Sequence, residues 1–330
     1  MAETDLKEYI FNSGISFADR LKEVYIYQIA NNPFYRDFSN VLGLNMDSDI
    51  DPESVPLLPI RAFQLGKIIT ENSDADLMFK SSGTTGMLQS MHYVADKSLY
   101  ENAISEAFYS HFPKDKYALL CYMPGYLDNP HSSLIWMAAY LIKNDDCGLS
   151  TMYHDTENID EWISNVLDKG KIPLLFGAAF GLLDLIDENK INISNQFEII
   201  ETGGMKTHRR EMSKTELRKQ LSDGFDVAPS NIHSEYGMCE LLSQMYAIGD
   251  EWFTTPHWVQ ITIRDPRNPG RICKPGEEGK IGIIDLANLY SCPFILTDDK
   301  GVSDENGRFQ VLGRWNSDNL RGCNFLIDRD

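Results

Sequence analysis

The chain of 330 residues contains 30 basic and 49 acidic residues, a formal net charge of −19, and 42% of its residues are hydrophobic. The hydrophobic fraction is ordinary for a globular protein. The acidity argues against general nucleic-acid binding and against a basic membrane-surface patch, because both need clustered Lys and Arg. The longest apolar run, around Leu134 to Ile142, is far shorter than the roughly 20 residues that span a membrane. We therefore expect no nucleic-acid partner and no membrane span.

The cysteines and the amino terminus indicate a cellular compartment. Six cysteines lie at positions 121, 147, 239, 273, 292 and 323, and none forms a CxxC pair. This spacing is typical of neither a zinc site nor a disulfide framework. The amino-terminal stretch MAETDLKEYIF is acidic and does not resemble a signal peptide. The sequence therefore predicts a reduced, cytoplasmic protein.

The first hundred or so residues are predicted to be mainly helical. Residues 1–45 have apolar residues at helical spacing, and DPESVPLLPIRAF is a proline-punctuated connection. Asp96 is expected to cap a further helix. The apolar stripe of that helix is Tyr100, Ile104, Ala107 and Phe108.

Apolar strands then alternate with helical segments, which is the pattern of a parallel α/β sheet flanked by helices. The alternating segments are YALLCYM, a helix after Ser132, IPLLFG, a helix from Ala179, FEIIETGG and a helix from His208. After about residue 245 the pattern changes to the short strands WVQITIRD, GKIGIIDL and GRFQVLGRW. We expect a single domain over residues 1–330, with an α/β portion (1–245) and a β-rich C-terminal portion (246–330) that ends in a short tail.

The stretch FKSSGTTGMLQS, residues 79–90, is a candidate anion-binding loop. Its centre offers hydroxyl groups and unobstructed backbone N–H groups, from Ser81, Ser82, Gly83, Thr84, Thr85 and Gly86. Met87 follows the last glycine, where a P-loop of the GxxxxGK[ST] type has lysine. The sequence therefore predicts a phosphate loop without its own charge, and an exposed Ser/Thr/Gly loop is the alternative.

Two further strand-to-loop segments carry polar residues. FEIIETGGMK ends in Glu201, Thr202, Gly203 and Gly204, and IHSEYGMCELLSQMY places Tyr236, Gly237 and Glu240 after a strand. Ligands of parallel sheets collect at the carboxyl ends of the strands. We therefore expect these segments and the loop to converge on one nucleotide.

Together these stretches resemble the adenylate-forming superfamily of acyl and aryl synthetases, which has a [YF]xSG[ST]TG loop, a YGx[TS]E segment, and a later TGD followed by GR. The combination of SSGTTG with Ser90-x-His92, ETGGMK and EYGMCELLSQMY is most similar to the LuxE acyl-protein synthetases. The resemblance covers most of the chain. It implies the fold of the superfamily's N-terminal domain, with ATP and Mg²⁺ as cofactors. It also implies ATP-dependent activation of a carboxylic, typically fatty, acid to acyl-AMP, transfer to a cysteine, and delivery to an acyl reductase partner.

The resemblance assigns roles to individual residues. It gives Ser81 to Gly86 to the ATP phosphates, Gly203 and Gly204 to the adenine pocket, Tyr236 and Gly237 to the adenine face, Glu240 to Mg²⁺, Asp299 to the ribose, and Arg314 to the ribose or phosphate. Asp298 stands where glycine is usual, so the choice between Asp298 and Asp299 stays open. Without the resemblance, Glu240 could equally be a solvated carboxylate and Arg314 a surface ion-pair partner, with no role in binding a nucleotide.

Three departures from the superfamily pattern concern charge and length. Leu88 and Gln89 replace the usual Pro-Lys, and Cys239 replaces a frequent Thr. The chain ends 16 residues after Arg314, so the mobile C-terminal lid domain with its lysine is expected to be absent. The basic group Lys206, Arg209 and Arg210 is the candidate replacement, with a solvated helix face as the alternative.

Two more residues are candidates for the acyl chemistry. Cys323 lies near Arg321, and adjacent positive charge favours the reactive thiolate. The resemblance makes Cys323 the acyl acceptor, whereas an inert terminal thiol is the alternative. His131 follows a predicted strand end and is expected to line the acyl pocket, with a structural histidine as the alternative.

Two other functions stay open. An acyl- or aryl-CoA ligase, or an acyltransferase to a carrier, would remain active without Cys323. A non-catalytic partner subunit would bind an acyl reductase without turning over ATP.

Overall fold

A computed structural model describes residues 3–81, 88–126, 129–153, 159–188, 196–203 and 212–315. Three helices begin the chain, as predicted: α1 (Glu3–Ile10), α2 (Phe17–Asn31) and α3 (Pro33–Val41). The Ser16 hydroxyl accepts a hydrogen bond from the backbone N–H of Asp19 and caps α2. Asn32 caps α3 in the same way, and Pro33 occupies the first helical position, where a missing N–H costs nothing.

A short connection and a hairpin follow the helices. Strand β1 (Leu58–Pro59) leads into a 3₁₀ turn (Ile60–Gln64). Strands β2 (Leu77–Lys80) and β3 (Met91–Val94) pair as an antiparallel hairpin. The predicted phosphate loop connects these two strands, and its residues 82–87 lie outside the described part of the chain.

A six-stranded sheet with alternating helices confirms the predicted α/β pattern. Its strands are β4 (Tyr117–Tyr122), β5 (Thr151–Met152), β6 (Ile172–Ala178), β7 (Glu198–Thr202), β8 (Ile232–Tyr236) and β9 (Met245–Ala247), in the order β5-β4-β6-β7-β8-β9. The first five strands pair in parallel, and β9 is antiparallel to β8. The helices are α4 (Lys97–His111), α5 (Ser133–Lys143), α6 (Ile159–Asp168), α7 (Ala179–Asp187) and α8 (Lys214–Phe225).

The helix caps explain why one predicted helix start is correct and another is wrong. Asp96 caps α4, as predicted, by accepting a hydrogen bond from the backbone N–H of Ser98. The helix predicted from His208 was placed too early, since α8 begins at Lys214. Ser213 accepts a bond from the backbone N–H of Glu216 and so fixes the first turn there. His208 itself lies outside the described residues.

A second, largely antiparallel sheet forms the β-rich portion. Its strands are β10 (Val259–Arg264), β11 (Gly279–Asp285), β12 (Phe294–Ser303) and β13 (Phe309–Arg314), and β1 pairs in parallel with β12. One hydrophobic core joins this sheet to the helices, with Tyr25 of α2 packed against Phe294 of β12. The division after residue 245 stays a prediction.

Within the described ranges, no helix combines the length and the apolar character that crossing a membrane would require.

Candidate functional site

The base of the predicted phosphate loop lies beside Glu240. The backbone N–H of Ser90 donates to Ser81 Oγ at 3.0 Å, and the N–H of Ser81 donates to the Ser90 carbonyl at 3.1 Å. These bonds extend the β2–β3 hairpin to the two ends of the loop. The Ser90 side chain lies close enough to Glu240 to lower the pKa of its carboxyl group. The structure thus brings the hairpin and the segment after β8 together, as the sequence predicts.

Asp285, at the end of β11, holds the segment between Gly237 and Gln244 in place. Its Oδ2 accepts bonds from the backbone N–H groups of Leu242 at 2.9 Å and Ser243 at 3.0 Å, and its Oδ1 accepts a bond from Ser243 Oγ at 2.6 Å. Trp258 Nε1 donates to the same Ser243 hydroxyl at 2.8 Å. We call these groups the Asp285 network. It fixes the loop that carries Glu240.

His92 ties the hairpin to the same loop. Its ring nitrogens lie 2.7 Å from the Cys239 carbonyl oxygen and 2.9 Å from Asn288 Oδ1. Asn288 Nδ2 donates to the Glu240 carbonyl at 2.8 Å. The position of Glu240 relative to the phosphate loop is therefore set by buried hydrogen bonds from two sides.

Tyr236, Asp299 and Arg314 form a second group at the carboxyl end of β8. The Tyr236 hydroxyl donates to Asp299 Oδ2 at 2.8 Å, and Arg314 Nε lies 3.5 Å from Asp299 Oδ1. Burial raises the pKa of Asp299, and the bond from Tyr236 and the charge of Arg314 oppose that shift. The Arg314 side chain is 81% exposed, so its guanidinium is accessible to a ligand.

Neighbouring aspartates on β12 have different environments. Asp298 accepts bonds from Lys280 Nζ at 2.7 Å and Arg61 Nε at 2.9 Å. Burial raises the pKa of Asp298, but these two cations more than compensate and bring it below the ordinary value. Asp299 faces Tyr236 instead. The geometry therefore favours Asp299 over Asp298 as the carboxylate of this site.

Two glycines at the strand ends are required by their surroundings. Gly203 has a φ of +73°, in the left-handed region that favours glycine. A Cβ on Gly237 would lie 2.5 Å from Glu235 Oε1 and 3.6 Å from Gln244 Cγ. Both glycines of the sequence motifs therefore allow close packing at the carboxyl edge of the sheet.

Glu240 fits the role of a cation ligand. It is 5% exposed, and burial raises its pKa although Ser90 and the charge of Arg314 lower it. A raised pKa means that its negative charge is not fully compensated by the described residues. Mg²⁺ prefers carboxylate and phosphate oxygens, so one Glu and a nucleotide would complete a site. Within the described ranges, no group of three or more His, Cys, Asp or Glu residues could hold a metal alone.

Two other candidates have clear structural surroundings. Burial raises the pKa of the Cys239 thiol well above its ordinary value, so it is a poor nucleophile. His131 Nδ1 donates to the Met78 carbonyl at 3.1 Å, and the His131 carbonyl accepts a bond from the N–H of Lys80 at 2.9 Å. His131 therefore anchors α5 to the hairpin, and its place in an acyl pocket stays a prediction.

Several predicted site residues lie outside the described part of the chain. They are Ser82, Gly83, Thr84, Thr85, Gly86, Gly204, Lys206, Arg209, Arg210 and Cys323. The sequence reasoning assigned no role to Glu235, which is 4% exposed and lies next to Tyr236. Its position directly before the Tyr-Gly pair was the available signal.

Comparison with known proteins identifies the family of this chain. A profile of the acyl-protein synthetases, LuxE, matches residues 156–330, just over half of the chain. A comparison with curated proteins finds no match.

Solved structures of adenylate-forming enzymes share the fold. One is a 2-hydroxyisobutyryl-CoA ligase in complex with 2-HIB-AMP and CoA, with a TM-score of 0.66 at 15% identity over 96% of this chain and 70% of that one. Another is ATP-bound MatB from Rhodopseudomonas palustris, with a TM-score of 0.53 at 17% identity over 74% of this chain and 49% of that one. The fold is thus that of the adenylate-forming enzymes, and the chain belongs to the LuxE family of acyl-protein synthetases.

Proposed function

We propose that the protein uses ATP to activate a carboxylic acid as acyl-AMP and then takes the acyl group onto its own Cys323. The observation that carries this proposal is the convergence of three features at one edge of the sheet. These are the base of the Ser/Thr/Gly loop, the buried Glu240, and the Tyr236–Asp299–Arg314 group. The ligands of two neighbours of the same fold, an acyl adenylate and ATP, support it.

The first step joins the acid to the nucleotide. A carboxylate oxygen attacks the α-phosphorus, a new P–O bond forms, and the bond to pyrophosphate breaks, which gives acyl-AMP and pyrophosphate. The charge at the α-phosphate rises during the attack, so fixed donors and cations lower the barrier. We assign the loop from Ser81 to Gly86 to the phosphates, Asp299 to the ribose hydroxyls, and Arg314 to the ribose or phosphate.

Glu240 holds Mg²⁺ in this proposal. The ion, when bound, neutralises phosphate charge. The chain's own contribution is to keep Glu240 fixed through Asn288 and next to Ser90 at the base of the loop. The basic residues Lys206, Arg209 and Arg210 are candidates for the remaining positive charge.

The second step transfers the acyl group to sulfur. The Cys323 thiolate attacks the acyl carbonyl, a C–S bond forms, and the C–O bond to AMP breaks, so AMP leaves. The choice of Cys323 as the acyl acceptor rests on its position in the sequence and on the family. Cys239 is disfavoured by its raised pKa, and Cys147, although exposed, does not lie where the family has its acceptor cysteine.

The partner would be an acyl reductase that takes the acyl group from the thioester. This part of the proposal rests on the family alone, whereas the expected cytoplasmic location rests on the cysteine spacing. A fatty acid is the family's typical substrate.

Intact-mass analysis tests the proposal directly. Wild-type protein incubated with ATP, Mg²⁺ and a panel of carboxylic acids should gain the mass of one acyl group, and hydroxylamine should remove it. Cys323→Ser should not gain that mass but should still exchange pyrophosphate into ATP, because removing the nucleophile stops only the second step.

Cys147→Ser is the matched control and should be acylated like the wild type. Acylation of Cys323→Ser as a thioester would make another cysteine the acceptor. Acylation of coenzyme A, without any acylated protein, would replace this proposal with the ligase function.

A further inference from the structure

A row of polar side chains crosses the carboxyl end of the six-stranded sheet on one face. Thr202 of β7 is the register partner of Glu235 of β8, and Glu235 is the partner of Tyr246 of β9. Side chains of register partners lie on the same face. Gln244 precedes β9 and shares this face, because it is two residues from Tyr246. We call Glu235, Gln244 and Tyr246 the polar subsite.

The polar subsite surrounds the position where Gly237 has no side chain. A Cβ there would meet Glu235 Oε1 at 2.5 Å and Gln244 Cγ at 3.6 Å. The carboxyl group therefore reaches over Gly237 from one strand and the Gln244 side chain from the other. The adjacent Tyr236 is hydrogen-bonded to Asp299 in the nucleotide group, so the subsite borders the place where the acid and ATP would react.

Two members of the polar subsite lack hydrogen-bond partners. The Tyr246 hydroxyl and Gln244 Oε1 are fully buried, and neither has a partner among the described residues. Buried polar atoms without a partner are rare in proteins because they cost free energy. Both atoms lie at the same end of the sheet, where a bound group could complete their hydrogen bonds.

Glu235 is buried beside these two atoms. It is 4% exposed and accepts a hydrogen bond from the Thr202 hydroxyl. Burial raises the pKa of Glu235 to about 7, with the charge of Glu201 adding to the rise and Lys214 opposing it. A hydrogen-bond donor or a positive charge placed beside this carboxyl would relieve that cost.

The rest of the neighbourhood is aromatic. Tyr246 packs edge-on against Phe108 of α4, with ring centroids 6.1 Å apart. The nearby Tyr100 already donates its hydroxyl hydrogen to the Ser133 carbonyl at 3.1 Å. The surroundings of the polar subsite are therefore mainly aromatic, and Gln244 Oε1 and the Tyr246 hydroxyl are the atoms of the subsite without a partner among the described residues.

We propose that Glu235, Gln244 and Tyr246 bind a hydrogen-bond-donating substituent, a hydroxyl or amino group, near the carboxyl group of the substrate. The acid that the protein activates is then a hydroxy- or amino-substituted acid and not a plain fatty acid. This inference rests on the proposed adenylation. A hydroxyl donates to Glu235 or Gln244 and accepts from Tyr246, whereas an ammonium donates to all three oxygens.

Acid-dependent pyrophosphate exchange with matched acids tests the inference. The panel is hexanoate with its 2- and 3-hydroxy and 2- and 3-amino derivatives. We expect kcat/KM for at least one substituted acid to exceed that for hexanoate by about tenfold or more, because a site with unpaired buried polar groups rejects an acid that leaves them unpaired. Equal or better exchange with hexanoate would overturn the inference and leave the proposed adenylation intact. Exchange with no acid would overturn both.

Variants identify the residues that cause the preference. In Tyr246→Phe the preference for the substituted acid should fall about tenfold, the size of one hydrogen bond. The control Tyr9→Phe, on α1, should keep the wild-type preference. An unchanged preference in Tyr246→Phe, Gln244→Leu and Glu235→Gln would overturn the assignment to this subsite.

The variant Glu235→Gln distinguishes an amino-substituted substrate from a hydroxy-substituted one. The variant keeps the size of the side chain and removes its charge. For an amino acid substrate the preference should fall about a hundredfold, since a buried ammonium loses its counter-charge. For a hydroxy acid it should fall by no more than about threefold, because the amide oxygen still accepts a hydrogen bond.

Discussion

The segment from Gly237 to Gln244 lies between two buried polar regions that differ in how well they are satisfied. On one side, the Asp285 carboxylate accepts three hydrogen bonds from Leu242 and Ser243. On the other side, the polar subsite contains two fully buried atoms without partners among the described residues. Residues of both regions are buried, so burial alone does not distinguish them.

This difference distinguishes a hydrogen-bond network that supports a loop from a site that binds a ligand. A network that only holds a loop is most stable when every donor meets an acceptor within the chain. A site that must receive a ligand keeps some groups unpaired until the ligand arrives. Burial raises the pKa of both Glu240 and Asp285, so the hydrogen bonds and not the pKa distinguish the two patterns. The comparison predicts that changes in the two regions have opposite consequences for stability and activity.

The largest expected effect is on activity, at Glu240. Glu240→Gln should lower the rate of acid-dependent pyrophosphate exchange about a thousandfold, or about 4 kcal/mol, because it removes the carboxylate assigned to the cation. Its melting temperature should not fall, since the variant removes a buried charge. Glu198→Gln, at the amino end of β7 and away from the site at the carboxyl ends of the strands, is the matched control and should exchange like the wild type. Equal rates for the two variants would contradict the role of Glu240.

The next effect concerns stability: replacing Asp285 should change the free energy of unfolding by an amount similar to the transition-state stabilisation lost at Glu240. Asp285→Ala should lower the free energy of unfolding by about 4 kcal/mol, because two backbone N–H groups and a hydroxyl lose their buried acceptor. Urea unfolding would measure the loss. Asp298→Ala, which breaks partly exposed ion pairs, should cost less than about 1 kcal/mol. A loss at Asp285 no larger than at Asp298 would show that the network does not hold the loop.

The pH dependence of stability sharpens the contrast at Glu235. Burial raises the pKa of Glu235 from 4.5 to about 7, so the folded state binds an extra proton between these values. The stabilisation is present below pH 4.5 and is lost as the pH rises through about 7. Relative to Glu235→Gln, the wild type should therefore lose about 3 kcal/mol between pH 4 and pH 8. Parallel stability curves for the two proteins would contradict the shift.

The smallest expected effect is the loss of the unpaired Tyr246 hydroxyl. Tyr246→Phe should change the free energy of unfolding by less than about 0.5 kcal/mol, because no hydrogen bond to a described residue is broken. Tyr35→Phe is the matched control. It should cost about 1 kcal/mol, since the buried Tyr35 hydroxyl donates to the Pro56 carbonyl at 2.9 Å. A clear loss at Tyr246 would mean that its hydroxyl has a partner within the chain.

Local patterns predicted much of the fold. The alternation of apolar strands and helices predicted the parallel strands β4, β6, β7 and β8 but not the two-residue strand β5, and cap residues placed α4 and α5. Strand β12 was not predicted, because the charged run Asp298 to Lys300 interrupts its apolar pattern. Its pairing with β1, β11 and β13 depends on contacts distant in sequence, which periodicity does not contain.

The same limit applies to the site. Tyr236, Glu240, Asp299 and Arg314 were predicted from motifs, and the structure places them around one edge of the sheet. The polar subsite was not predicted, since Glu235 meets Tyr246 only through the antiparallel register of β8 and β9. Unsatisfied buried atoms become visible only when all neighbours of a side chain are known.

The central claim is that this chain forms an acyl adenylate, and pyrophosphate exchange in the wild-type protein tests it most directly. With Mg²⁺, ATP and labelled pyrophosphate, the account predicts that label enters ATP only when a suitable carboxylic acid is present. The acid panel should include plain, hydroxy- and amino-substituted acids. Folded wild-type protein that incorporates no label with any of these acids would contradict the account.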